Sequence, residues 1–337
     1  MNKHWRLGGV AIIALVVVIL LAAFMRSGWE ADQQPQHEVT IAVAATPAPG
    51  LVFVAHEGGF FTAEGLKVTL QKHSSGKAAL EATLANQAAI AATSENPVIH
   101  AAMKGEKVRL FATIMSTERN YAVVARKDRD ITNIAELAGK RVGVTRGTNS
   151  EFLLESMLTL NNLLPGSIEN VHLVPNDIVD AIVRGEVDAI SSWNPHLLKA
   201  KNQLGDNHLV FYGNELYTAT YNLVAMEPFI AQNPDVIERI LRAMTQAAKF
   251  VIEDPTRAQG MVAKHIKLST AQFAELWDIF KYDVSLDQAL ITTMENQARW
   301  ARSKRGEELS APLPNFLDIV YLDGLKSVNP EAVSIIH

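Results

Sequence analysis

The chain has 337 residues, 48% of them hydrophobic and 20% charged, which is apolar enough for sizeable cores and excludes both a largely disordered protein and a polytopic membrane protein. Its net charge of -5 offers no overall basic field for nucleic acid. The lack of cysteine excludes disulfides, thiolate metal sites, a cysteine nucleophile and the lipid-carrying cysteine of a bacterial lipoprotein.

Residues 7–25 (LGGVAIIALVVVILLAAFM) carry no charge, and at about 1.5 Å per residue they make roughly 28 Å of helix, enough to span a bilayer. Lys3 and Arg6 precede this run, and Glu30 and Asp32 follow it. The positive-inside bias therefore leaves the head in the cytoplasm and exports everything after Arg26. Ala22 and Ala23 are followed by bulky Phe24 and Met25, so no small-x-small cleavage site is present. Residues 1–26 read as a retained signal anchor, with a cleaved signal peptide as the alternative, and 27–37 as a polar tether. The remaining length is most simply two domains of roughly 100–200 residues.

Beyond the tether, short apolar runs alternate with helical segments, the pattern of an α/β fold with a mainly parallel sheet. Expected strands cover 39–45, 67–72, 88–93, 108–114, 121–126, 141–145, 172–174, 188–192 and 222–226. Ser74, Ser75 and Gly76 predict a cap for a helix over 77–86, and Asn96 with Pro97 predicts an N-cap and first-turn proline for the next. After Met226 the chain reads as nearly all helix. Val236, Ile237, Ile240, Leu241, Met244, Ala248 and Val251 follow a 3.6 period, as do Phe273, Leu276, Trp277 and Phe280, and 315–328 predicts one more helix.

No phosphate loop, GxGxxG, HExxH, EF-hand loop or GxSxG occurs. Of the ten histidines, His56 has an acidic neighbour in Glu57 but no second ligand at helical or turn spacing, so no metal is expected. Neither a cofactor nor a catalytic pair is predicted.

Four polar turns stand at expected strand ends: Thr46 and Pro47; Ser74, Ser75 and Gly76; Thr93, Ser94 and Glu95; and Gly147, Thr148, Asn149 and Ser150. In open α/β sheets ligands sit at such ends, where helix N-termini aim free N–H groups at them. Each turn alone could be a helix cap, but together they outline a ligand cleft. Several N-termini at 0.3–2 kcal/mol each, plus hydroxyl donors, reach micromolar affinity, about 8 kcal/mol, for an anion. Arg119 and Arg146 lie beside these turns and could pair with a sulfonate or carboxylate or stay on the rim. Trp193, just past a strand end, is expected to wall the ligand. Glu95 would favour a ligand carrying an amine.

The residues VTIAVAATPAPGLVFVAHEGGFFTAEGL, SSGKAALEATLANQAAIAAT, DRDITNIAELAGKRVGVTRGTNSEFLLESML and IVDAIVRGEVDAISSWNPH resemble the substrate-binding proteins of the nitrate, sulfonate and taurine class of ABC transporters, which are related to thiamine-pyrimidine-precursor binding proteins. The resemblance implies a bilobal type II periplasmic-binding-protein fold, with two lobes joined by two crossing strands. Mapped onto this chain, residues 38–121 and 222–337 form a discontinuous lobe one and 122–221 form lobe two. It further implies a monomer that presents a small ligand to an ABC permease and its ATPase at the outer face of the inner membrane, to which the N-terminal helix tethers it. A thiamine pyrimidine precursor is the second ligand class. A membrane-anchored ligand sensor is the second role. Related lyases use a cysteine nucleophile, which this chain lacks.

Overall fold

The computed structural model describes residues 37–164, 166–213, 216–304 and 312–336. The apolar stretch 7–25 and the tether lie outside the described residues. Glu38–His337 forms one compact unit.

β1 (His37–Ala44) leads through a proline-rich turn to α1 (Gly50–Glu57) and α2 (Phe60–Ala63). Then come β2 (Leu66–His73), α3 (Gly76–Leu84), β3 (Ile90–Ser94), α4 (Glu95–Met103) and β4 (Val108–Thr117). A second series follows: β5 (Tyr121–Arg126), β6 (Arg141–Val144), α5 (Asn149–Leu160), β7 (Glu169–His172), α6 (Ile178–Arg184), β8 (Ala189–Trp193), α7 (His196–Leu204) and β9 (His208–Tyr212). After β10 (Ala219–Met226) the chain continues through α8 (Glu227–Gln232), α9 (Pro234–Glu253), α10 (Pro255–Ala263), α11 (Thr270–Ala274), α12 (Gln288–Lys304) and α13 (Asp323–Val328).

Among the described residues the strands form two five-stranded sheets, ordered β2-β1-β3-β10-β4 and β7-β6-β8-β5-β9. β1 runs parallel to β3, and β6 runs parallel to both β7 and β8. Each sheet contains one antiparallel insert. β10 lies between β3 and β4, while β5 lies between β8 and β9. The inserts are the strands that enter each sheet directly from the other, so the chain crosses between β4 and β5 and again between β9 and β10. β3 (IAATS) is buried along its whole length, and its small side chains leave room for helices close on both faces.

The 3.6-period stripe on α9 is buried along its length and packs on α1 and α13. Burial of each large apolar side chain of this kind contributes about 1.5–3 kcal/mol, which seats the helical second half on the first sheet. The second sheet has a separate small core on each face, around Leu154 and Val144 on one side and Ile182 and Val187 on the other.

Several local expectations are corrected. β9 was not anticipated, because HLVFY is half-exposed along its whole length at a sheet edge and shows no alternation. β7 lies earlier than 172–174, since its pairing with β6 runs from Glu169 to His172. α4 begins at Glu95, not after an Asn96 cap, because the Asn96 side chain donates to Gln297 instead (2.8 Å). Residues 273–280 are not one helix: α11 ends at Ala274 and a 3₁₀ turn covers Trp277–Ile279. The expected helix at 315–328 is interrupted where Val320 bridges Leu110 and the Tyr321 N–H donates to the Leu110 carbonyl (2.8 Å).

Candidate ligand-binding site

The carboxyl ends of five strands open toward one gap. From the first sheet, β1 delivers Thr46, β2 delivers Ser75 and β3 delivers Ser94. From the second, β6 delivers Thr148 and Asn149, and β8 ends on Trp193. All six line one cavity of about 20 Å³, together with Gly76, Lys77, Asn120, Tyr121 and Tyr221. A single water needs about 10–15 Å³ measured this way. The cavity as it stands therefore holds nothing larger than water.

Local chemistry fixes each wall. Ser75 caps α3, its Oγ accepting from the Ala78 N–H at 3.1 Å. Gly76 is pressed so close that a Cβ there would lie 2.7 Å from the Tyr221 hydroxyl. That hydroxyl is buried and finds no partner among the described residues, so it is free to bond a ligand. Thr148 donates to the Thr145 carbonyl at 2.7 Å and meets Ser150 Oγ at 2.8 Å. Trp193 is 6% exposed, with His196 edge-on at 5.5 Å. Burial, with Lys199 nearby, pushes the His196 imidazole down to about 4, so the ring edge-on to Trp193 is neutral at neutral pH.

The other candidate residues have different surroundings. Pro47 is buried, and its carbonyl accepts from Tyr282 at 2.7 Å. Ser74 is exposed and lines a neighbouring recess of about 530 Å³ that shares Thr46 with the cavity. Ser150 is fully buried, and its carbonyl accepts from Ser191 Oγ at 2.7 Å. Arg119 is exposed, with its guanidinium 5.4 Å from the centre of the Tyr212 ring.

Glu95 is wholly buried behind the cavity. One oxygen accepts from Asn149 Nδ2 (2.7 Å) and Gln297 Nε2 (2.8 Å), the other from the Thr220 N–H (3.0 Å) and hydroxyl (3.2 Å). Burial raises its pKa despite these donors. The Asn149 bond ties α5, beside the second sheet, to α4, beside the first.

More ties cross the gap around the cavity. Lys77 donates to the Arg146 carbonyl at 3.1 Å. It packs over Gly147, whose φ of +73° is the left-handed conformation that favours glycine. On α12, Lys304 pairs with Glu151 and Glu155 of α5, and Trp300 Nε1 donates to Glu155 at 3.0 Å.

Lys77, Asn120, Tyr121 and Tyr221 were not singled out from the sequence. Tyr121 and Tyr221 stand where the chain crosses between sheets, and that is the signal that could have found them. Lys77 follows the capping turn by one helical residue.

The profile of the family described as NMT1/THI5 like matches residues 47–258. A Bacillus subtilis (strain 168) protein named for binding aliphatic sulfonates is 24% identical over 241 residues, which is 70% of this chain and 72% of that protein. The formylaminopyrimidine-binding protein of Halalkalibacterium halodurans is 24% identical over 294 residues, 85% of this chain and 86% of the relative. The alkanesulfonate-binding protein SsuA of Xanthomonas axonopodis pv. citri, solved with MOPS, superposes with a TM-score of 0.74 at 17% identity, covering 85% of this chain and 98% of that one. The likeness shows the α/β fold of periplasmic binding proteins.

Proposed function

The chain belongs to the NMT1/THI5-like family, and from that premise we propose that it is the extracytoplasmic solute-binding component of an ABC importer. It captures a small polar or anionic ligand of the sulfonate, taurine or nitrate type between the two sheets and presents it to a permease with its ATPase. Residues 38–121 and 222–337 act as one lobe and 122–221 as the other. The observation that carries this reading is the convergence of Thr46, Ser75 and Ser94 from one sheet with Thr148, Asn149 and Trp193 from the other around a single closed cavity. Ligand that touches both walls drives closure of this kind. The names of the relatives support the same role, which is binding rather than catalysis.

A pyrimidine precursor is the second reading. It is favoured by the three aromatic rings, Tyr121, Tyr221 and Trp193, on the cavity wall, since such rings stack on a flat heterocycle. Residues 1–26 tether the protein to the cytoplasmic membrane from the outside. Among the described residues no helix is long and apolar enough to cross a membrane, so this tether rests on the N-terminal sequence alone.

Calorimetry of the full chain with ethanesulfonate, taurine, nitrate and a formylaminopyrimidine tests the reading. One of them is expected to bind with a Kd near 1 μM, about 8 kcal/mol. Trp193→Ala is expected to weaken that ligand at least tenfold, about 1.4 kcal/mol. Saturable binding of none of the four, or an unchanged Kd in the variant, overturns it.

A further inference from the structure

A second group of chemically capable side chains lies away from the cavity. α1 starts at the cavity turn and runs back along the first sheet, so its carboxyl end is about 12 Å further on. There His56 and Glu57 meet His265, which stands in the turn after α10. One ligand atom from each lies within 4.8 Å of the others. His265 Nε2 is 2.9 Å from Glu57 Oε1, and His56 Nδ1 is 3.8 Å from the same oxygen.

We propose that His56, Glu57 and His265 form a binding site for a divalent transition-metal ion of the zinc class. The donor set is two imidazole nitrogens and one carboxylate oxygen, with water completing a four-coordinate shell. Ligands at about 2.0–2.2 Å from a tetrahedral ion stand roughly 3.3–3.6 Å apart. The observed separations bracket that range, so closing on an ion takes only small side-chain shifts.

Three features prepare the site. The His265 ring is stacked on Phe53 at 4.5 Å and 7°, which fixes its plane, and its side chain is 10% exposed. The His56 ring meets it edge-on at 82°, so both imidazoles approach one oxygen from different directions. At 3.8 Å, His56 Nδ1 lies beyond hydrogen-bond distance of that oxygen, whereas an ion between them would hold both nitrogens. Lys264 bonds the other oxygen, Oε2, at 2.7 Å. That bond orients Glu57 without occupying Oε1, as outer partners of metal ligands do. The Lys264 ammonium beside Glu57 opposes a cation, so the expected affinity is lower than that of an uncrowded donor set.

Bound metal would clamp α1 to the turn after α10 and leave the cavity untouched. The test uses the full chain without a histidine tag, stripped with a chelator and titrated with zinc chloride by calorimetry. The expected result is one equivalent bound per chain at micromolar concentration, with the thermal midpoint raised by roughly 4 °C at a hundredfold excess over Kd. Glu57→Gln and His56→Gln should each weaken binding at least tenfold. The His56 side chain is 37% exposed, so its replacement spares the core, and circular dichroism checks the fold of both variants. The absence of a stoichiometric zinc site in wild type, or unchanged affinity in the two folded variants, overturns the proposal.

Discussion

Glu95 has four hydrogen-bond partners, and all four are donors. Glu95→Gln puts an amide NH₂ where one oxygen accepts two bonds, so at least one buried donor loses its acceptor and urea unfolding should show a loss of about 1–3 kcal/mol. Burial raises the folded-state pKa of Glu95, so the folded chain holds this proton more tightly than the unfolded chain, in which glutamate titrates near about 4.3. The resulting contribution to stability is fully present below that value and is lost as pH rises from there through the raised folded value. Stability measured across this window should fall with rising pH in wild type relative to Glu95→Gln; parallel curves would contradict the assignment. The turn holding Glu95 was legible in the sequence because capping residues at strand ends are local signals. Its partners were not, since Thr220 and Gln297 come from distant segments and no local pattern links them. The same limit hid His265 from His56 and Glu57, whose neighbourhood looked short of a second ligand.

At the scale of elements, the contact of α12 with α5 holds the two sides of the gap together. Burial alone would lower the pKa of Lys304, yet its pairing with Glu151 and Glu155 outweighs this and raises it. The pair is partly exposed, so its contribution is about 0.5–1 kcal/mol. Lys304→Ala should release that amount from the closed form only and weaken ligand binding about two- to fivefold by shifting the population toward the open form. Calorimetry with the ligand that binds best reads this directly, and equal affinities would show that the contact persists in both forms. Which strands exist was largely legible, because β1, β3, β5 and β8 are short apolar runs bounded by turn residues. β9 and the broken helix at 315–328 were not, since a half-exposed edge and a single bridge to Leu110 are set by tertiary partners.

For the whole molecule, a cavity of about 20 Å³ is too small for a sulfonate or a pyrimidine, so the proposed binding requires the sheets to part before ligand enters. X-ray scattering should therefore give a smaller radius of gyration with saturating ligand than without it, and identical values would count against closure. The strand order carries a further consequence, for biogenesis. The second sheet is built from one continuous stretch, β5 to β9, whereas the first lacks its inner strand until β10 arrives at Ala219–Met226. A chain appearing amino end first would thus show bare, pairing-competent edges on β3 and β4 while the later sheet is already complete. Such edges invite aggregation, so a holding chaperone would be needed most during synthesis of residues 117–219 and least once Met226 is out.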